Sequence, residues 1–448
     1  MRSMSSPPKF RLISLLLVLV ASVCWPQWAA AGSEGWVTSW AGSVQGPYPI
    51  GNPSLQPNLS LVFPSAQIGA KDQSFRMIVR PDIWASQTRI RLSNALGTQP
   101  VTFDGVFVGL HQSSSALVAG TNQAVQFGGK SSVTIAPGAF AWSDPVPLRF
   151  VNPSSVAAMA GRKLAVSFHV VDESGPMTWH AKAMSSSYVS APNAGAKGND
   201  EGEAPFPFAT ASWYFLDAVD MMAAADTRVI LAFGDSITDG TAATINGDDR
   251  WTDVLSRRLH ATFGNKLVVV NAGISGNQVA GPAEYSAQSA FSGGPSAGQR
   301  LERDVLTLSG VTAMIWLEGI NDLSKNGNRD SDVVKEEMKT IIERIRAKRP
   351  NLKIIGATVT TALGSTSAGH GSAEQNSKRL ALNDFIRNSG LFDAVIDFDK
   401  VILDPQSGGM RTEFVPDNTR GGDGDKLHPN RLGYLAMGMS IDLKMLLK

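Results

Sequence analysis

The residues with most chemical promise stand where apolar runs stop. In "VILAFGDSITDG", residues 229–240, the chain turns from apolar to polar at Gly234-Asp235-Ser236. Either a buried strand ends there in an ordinary turn, or the strand holds Ser236 out as a nucleophile. A serine hydroxyl attacks poorly until a base takes its proton, so the second reading requires a base, a group to orient that base, and donors for the developing oxyanion. Three further stretches offer them. "GDKLHPN" carries His428, an imidazole suited to the base role near neutrality, and Asp425, three residues earlier, can fold back to orient it. "NAGISGNQ" carries Gly276, where the missing side chain lets a backbone N–H approach a substrate closely; the N–H of Ser236 is a second donor. "EGIND" carries Gly319, Asn321 and Asp322, and the Asn321 amide donates without ionising. Each piece alone has a plain structural alternative. Gly-Asp-Ser is common in turns, a glycine after a strand usually serves the backbone, Gly319-x-Asn321-Asp322 reads equally as a helix cap, and Asp425-x-x-His428 as a surface pair. Asp235 is read as stabilising its turn, and Asp322 as orienting Asn321 or capping a helix. The conjunction, in this order and at successive strand ends, favours catalysis.

The elements that must position these residues change character once. From residue 36 to about 223, short alternating segments such as "SFRMIVR", "TRIRLSNA", "VTFDGVFVGL" and "KLAVSFHVVD" are punctuated by Gly, Pro, Asn and Ser, the habit of an all-β sandwich or jelly roll. Residues 190–208 read as a long surface loop, and 212–223 as a last strand of that region. After residue 225, apolar runs at 228–233, 267–271, 311–317, 352–358 and 394–398 alternate with helical stretches at 250–263, 298–308, 332–348 and 373–388; a final helix is expected after Pro429. Alternating β and α implies an α/β fold, a parallel sheet with helices on both faces. Sites in such sheets form beyond the carboxyl ends of the strands, where all four stretches lie.

These stretches resemble the sequence blocks of the SGNH, or GDSL, hydrolase family. The first block matches Gly234-Asp235-Ser236 through Gly240, the second Gly276, the third Gly319-x-Asn321-Asp322, and the fifth Asp425-x-x-His428. The likeness runs from about residue 228 to the C-terminus. "DGTAATINGDDRWTDVLSRRL" and "VLTLSGVTAMIWLEGINDL" are most similar to the XynE-like arylesterase/acylhydrolase branch. "WVTSW" and "SFRMIVRP" resemble, less specifically, the β domain that precedes the hydrolase domain in many secreted members. The resemblance implies a flavodoxin-like three-layer α/β/α hydrolase domain over 225–448 behind a β domain over 32–224. It also implies a Ser236-His428-Asp425 triad, an oxyanion hole of Ser236, Gly276 and Asn321, and no cofactor or metal. The expected activity is hydrolysis of short-chain, O-acetyl-type esters on carbohydrate. Alternatives are a lipolytic esterase or lysophospholipase, an acyltransferase with the same triad, and a glycan-binding surface protein with a vestigial hydrolase domain.

Composition narrows the setting. Arg2, Lys9 and Arg11 precede an apolar run from residue 12 to 24, and Ala29-Ala30-Ala31 reads as a cleavage site, the pattern of a secretory signal peptide over 1–31. A secreted or periplasmic protein is expected; the Val23-Cys24 pair fits a lipoprotein anchor poorly. Removing 1–31 leaves 37 basic and 39 acidic residues from the original 40 and 39, so no polyanionic partner such as nucleic acid is implied. Cys24 is the sole cysteine, so the mature chain has no cysteine chemistry. No later segment is apolar and long enough to span a membrane, and oligomeric state is left open. His370, in "GSTSAGHGSAEQ", is expected in a solvent-exposed loop rather than the substrate cleft. Asp248, Asp249 and Arg250 are expected to cap a helix, Trp251 and Trp316 to lie in the core, and His111, His169 and His180 to have no shared metal role.

Overall fold

Antiparallel pairing organises the chain from Glu34 to Ala224. The computed structural model describes residues 34–152, 154–367, 369–416 and 424–447, together with Met1. The expected signal peptide, with Cys24 and the alanine cleavage site, lies outside them apart from Met1. One sheet runs in the order Glu34–Ala41, Leu216–Ala224, Gln87–Ser93, Val146–Pro147. A second is centred on Gln73–Val79, Leu164–Val170 and Val101–Ser113. Phe75, Phe103 and Phe168 of the second sheet meet Phe215, which leads into a strand of the first, with ring centroids within 6.3 Å. The sheets therefore share an aromatic core, as the alternating pattern requires. A small third sheet, Trp213–Tyr214, Thr178–His180 and Gly46–Pro47, sits in the same region.

Pairing turns parallel at Arg228. Five strands lie in the order Leu267–Gly273, Arg228–Gly234, Val311–Leu317, Lys353–Ala357, Ala394–Ile396. Successive side chains on a strand face opposite ways, so a sheet covered on both sides needs nearly unbroken apolar strands. Val229, Leu231 and Phe233 accordingly join a core with Val334, Met338, Ile341 and Leu382 of the helices Ser331–Lys348 and Ala373–Asn388. Ile230 and Ala232 join another with Trp251, Leu255, Tyr434 and Met437 of Trp251–Phe263 and Arg431–Ser440. Trp251 and Trp316 are both buried. The second and third strands flank the first, so the chain's direction across the sheet reverses at Arg228–Gly234, and a crevice opens beyond its carboxyl end. Ser236 follows directly.

Two expectations shift in detail. The helix expected over 298–308 is an α-turn, Ala297–Leu301, that widens into a π-helical turn, Glu302–Leu306. The last helix begins at Arg431 and is capped by Asn430, whose side chain accepts the N–H groups of Leu432 and Gly433, leaving Pro429 just outside.

The antiparallel and parallel regions pack into one compact unit, Glu34–Lys448. Thr38 donates its N–H to the Ser309 carbonyl (3.0 Å), and its hydroxyl accepts the Ser309 N–H (2.9 Å). Arg91 and Asp217 form a buried ion pair (2.6 Å), and the same guanidinium reaches the Thr307 hydroxyl (3.0 Å). On the outer strand of the parallel sheet, Asp82 accepts the Val269 N–H (2.7 Å). Among the described residues, no helix is long and apolar enough to cross a membrane.

Candidate active site

Gly234 ends its strand where no side chain fits: a Cβ there would lie 2.2 Å from the Leu317 carbonyl oxygen and 2.6 Å from the Thr238 hydroxyl. The chain can therefore turn tightly. Asp235 accepts the Ile237 N–H (3.0 Å) and caps a four-residue helix, Ser236–Asp239, whose first residue is the serine. The N–H groups of a helix's first turn have no partner within the helix, which leaves that of Ser236 available to a ligand.

The Ser236 hydroxyl lies 2.7 Å from His428 Nε2, although 192 residues separate them. Behind the ring, His428 Nδ1 lies 2.6 Å from Asp425 Oδ2. The other oxygen of Asp425 accepts the N–H groups of Leu427 (3.0 Å) and His428 (2.9 Å). Burial pushes the Asp425 carboxyl up, but the hydrogen bond and charge of His428 and the two backbone donors outweigh it and hold the group well below the usual carboxylate range. The carboxylate is thus ionised and aimed at the imidazole, and the arrangement can draw a proton from serine.

Gly276 adopts φ 88°, a left-handed conformation natural to glycine. Its loop is held from several sides: Asp239 Oδ2 accepts both the N–H (2.9 Å) and the hydroxyl (2.6 Å) of Ser275. Asn321 donates from Nδ2 to the Asn277 carbonyl (2.9 Å), leaving the second amide hydrogen for another acceptor. Gly319, at φ 128°, turns the chain toward Asn321, with Leu382 packed where a Cβ would stand.

Several residues behave differently from expectation. Asp322 neither orients Asn321 nor caps a helix; it accepts the N–H groups of Val279 (2.9 Å) and Ala280 (2.7 Å), bolting down the chain after Gly276. Burial pushes its carboxyl up to about 7, against the pull of those two donors. His370 is not solvent-exposed: it is 9% accessible, with Nε2 3.3 Å from the Asn321 side-chain oxygen, because the turns around it fold back over the site. Ser365 and Thr366 of the same loop donate to the Asp425 carbonyl. Asp248 and Asp249 cap no helix. Asp248 faces Arg80 and Asp249 accepts the Thr244 N–H; Arg250 does cap the helix Trp251–Phe263, with Asp253 reaching back to its N–H.

Other residues brace the site without any motif to announce them. Arg300, fully buried, donates to the carbonyls of Gly234 (2.9 Å) and Ala272 (2.8 Å) and to the Asn277 side chain (2.7 Å), tying together the two strand ends that flank the crevice. His180, from the antiparallel region, donates to the Ser43 carbonyl (2.6 Å) and lies 3.1 Å from Asp239. Burial pulls its pKa down, but the charge and hydrogen bond of Asp239 and the carbonyls of Ser43 and Lys182 outweigh that and raise it. His169 is clamped between Asp104 and Asp72, and His111 bonds the Ser114 carbonyl. Among the described residues, no cluster of His, Cys, Asp or Glu could hold a metal ion.

Residues 232–436 match the GDSL-like lipase/acylhydrolase family. No curated protein matches the chain. Solved structures similar to about half of it include Est24, a carbohydrate acetylesterase from Sinorhizobium meliloti (16% identity, 49% of this chain and 99% of that one, TM-score 0.37). The native aryl esterase of M. smegmatis is similar over 49% of this chain and 100% of its own, at 16% identity and TM-score 0.37. A lipase/acylhydrolase from Enterococcus faecalis is similar over 49% and 95%, at 22% identity and TM-score 0.37. The segment that supplies Ser236, Gly276, Asn321 and His428 thus matches a GDSL-like lipase/acylhydrolase domain, and the chain that carries it is a carboxylic ester hydrolase.

Proposed function

We propose that the protein is a secreted serine esterase that removes short acyl groups, O-acetyl above all, from carbohydrate. In this reading 1–31 is the export signal, 32–224 a β domain and 225–448 the catalytic domain. Ser236 Oγ attacks the ester carbonyl carbon while His428 Nε2 takes its proton, and the imidazolium is steadied by Asp425. The carbonyl oxygen becomes an oxyanion that accepts hydrogen bonds from the Ser236 and Gly276 N–H groups and the Asn321 amide. Collapse expels the alcohol, which leaves with the proton from His428, and an acyl-serine remains. Water then attacks the acyl-serine with His428 again as base, and the carboxylic acid departs. The observation that carries the reading is the unbroken bond chain Ser236–His428–Asp425, at 2.7 and 2.6 Å. The polar pair that Asn321 makes with His370 (3.3 Å) suits a hydroxylated alcohol better than a lipid tail.

One observation favours a lipolytic reading. The helix Arg431–Ser440 opens three residues after His428 and exposes Leu432, Leu435 and Met439 at helical spacing, an apolar stripe on its solvent side. A p-nitrophenyl ester series from acetate to dodecanoate, run beside acetylated xylan, separates the two. The carbohydrate reading expects acetate to be the best of the series and acetate to be released from xylan; a maximum at long chains with untouched xylan overturns it. Ser236→Ala is expected to lower kcat by about 10⁴-fold or more on every substrate. Activity that survives this substitution removes Ser236 as nucleophile.

A further inference from the structure

The loop that presents the Gly276 N–H is held by a side chain from near the start of the described chain. Asn52 Nδ2 lies 2.7 Å from the Ser275 carbonyl oxygen and 3.2 Å from that of Ser292. Both partners are acceptors, so the nitrogen of the amide, not its oxygen, must face them. The Ser275 carbonyl and the Gly276 N–H belong to one peptide unit. That unit is planar and trans, with C=O and N–H pointing in opposite directions. Fixing the carbonyl therefore fixes the line along which the N–H points. Asp239 secures the other side of Ser275 through its N–H and hydroxyl. The fit is close: a Cβ on Gly276 would stand 2.5 Å from Asn52 Nδ2. Gln45, from the same segment, adds a second bond to the Ser292 carbonyl (2.7 Å), so the partner loop is held as well.

We infer that Asn52 is a positioning residue for ester hydrolysis: by binding the Ser275 carbonyl it aims the Gly276 N–H at the oxyanion. The antiparallel region thereby takes part in the chemistry without touching the reacting atoms. This inference rests on the reading of Ser236 as nucleophile and Gly276 as donor.

The test uses the full chain with Asn52→Ala and Asn52→Asp. The aspartate keeps the size but donates nothing to a carbonyl. Steady-state hydrolysis of p-nitrophenyl acetate is measured together with the rate of inactivation by a p-nitrophenyl alkylphosphonate, whose tetrahedral adduct also needs the oxyanion donors. Both variants are expected to lose roughly 10- to 100-fold in kcat, with KM within about threefold of wild type and a matching loss in phosphonylation rate. Should the alanine variant fold poorly, the aspartate variant decides. A kcat and phosphonylation rate within about twofold of wild type, or a loss confined to KM, overturns the inference. Ser236→Ala in the same assay separates the levels. If it is inactive while the Asn52 variants are normal, only this inference falls; if it is active, the catalytic reading beneath it falls.

Discussion

The Asp425 carboxylate is oriented from within its own loop, whose Asp425 carbonyl Ser365 and Thr366 hold from outside, whereas the loop at 274–276 is held by side chains from three distant places. Asp425 accepts two N–H groups from its own loop and the imidazole three residues on. Ser275 and Gly276 instead depend on Asp239, on Asn52 and, through Asp239, on His180. In the proposed mechanism the acid–base half of the site is set mainly by a short local motif. The oxyanion half is a product of tertiary packing, and much of that packing comes from the antiparallel region.

The sharpest way to break this contrast is Asp425→Asn. The amide can still occupy the space, but it favours the wrong imidazole tautomer and cannot stabilise the imidazolium. Activity toward p-nitrophenyl acetate is expected to fall about 10³- to 10⁴-fold with folding intact by circular dichroism. A loss below tenfold would mean that this loop is not the acid–base unit. A smaller effect is expected from Gly276→Ala, which strains a positive φ and drives a methyl into Asn52. Loss of one oxyanion donor predicts a fall of about 10²- to 10³-fold in kcat, on the order of 3 kcal/mol. Unchanged kcat would show that this loop contributes no donor.

The smallest effect concerns stability and tests the tie between the regions. The pKa of His180 is raised by folding above its ordinary 6.5. The native state therefore binds this proton more tightly than the unfolded chain. The stabilisation is fully present below pH 6.5 and is lost as pH rises through the folded value, with a slope of at most about 1.4 kcal/mol per pH unit. Urea unfolding of wild type and His180→Asn across pH 6–9 should show the two converging as pH rises. A gap that does not change with pH would mean the imidazole is neutral in the folded protein.

The sequence made legible whatever depends on short range. The five parallel strands and their helices follow from unbroken apolar runs alternating with helical periodicity, and the observed bounds differ from the expected ones by only a few residues. The loops of Ser236, Gly276 and Asn321 could be found because they closely follow strand ends, and that of His428, which lies beyond the helix Phe398–Ile402, because of its Asp-x-x-His spacing. What stayed hidden is long-range pairing. Nothing near Asn52 marks it as a partner of Ser275, and a buried His180 looks in sequence like any strand histidine. His370 and Asp322 depart from expectation for the same reason: the polarity of its loop points the one outward, and the neighbour Asn321 suggests a partner for the other. Tertiary packing turned the first inward and gave the second the backbone of residues 279 and 280.

The Val269 amide, taken by Asp82 at the flank of the parallel sheet, has a practical consequence for anyone who would cut this protein into modules. Severing the chain near residue 225 would remove that carboxylate along with Thr38 and Arg91. The flank of Leu267–Gly273 would then lie raw, and raw strand flanks recruit other chains. A hydrolase fragment made this way should precipitate or self-associate rather than report the activity of a free-standing enzyme, so exchange of parts between relatives has to respect the seam and carry both sides of it together.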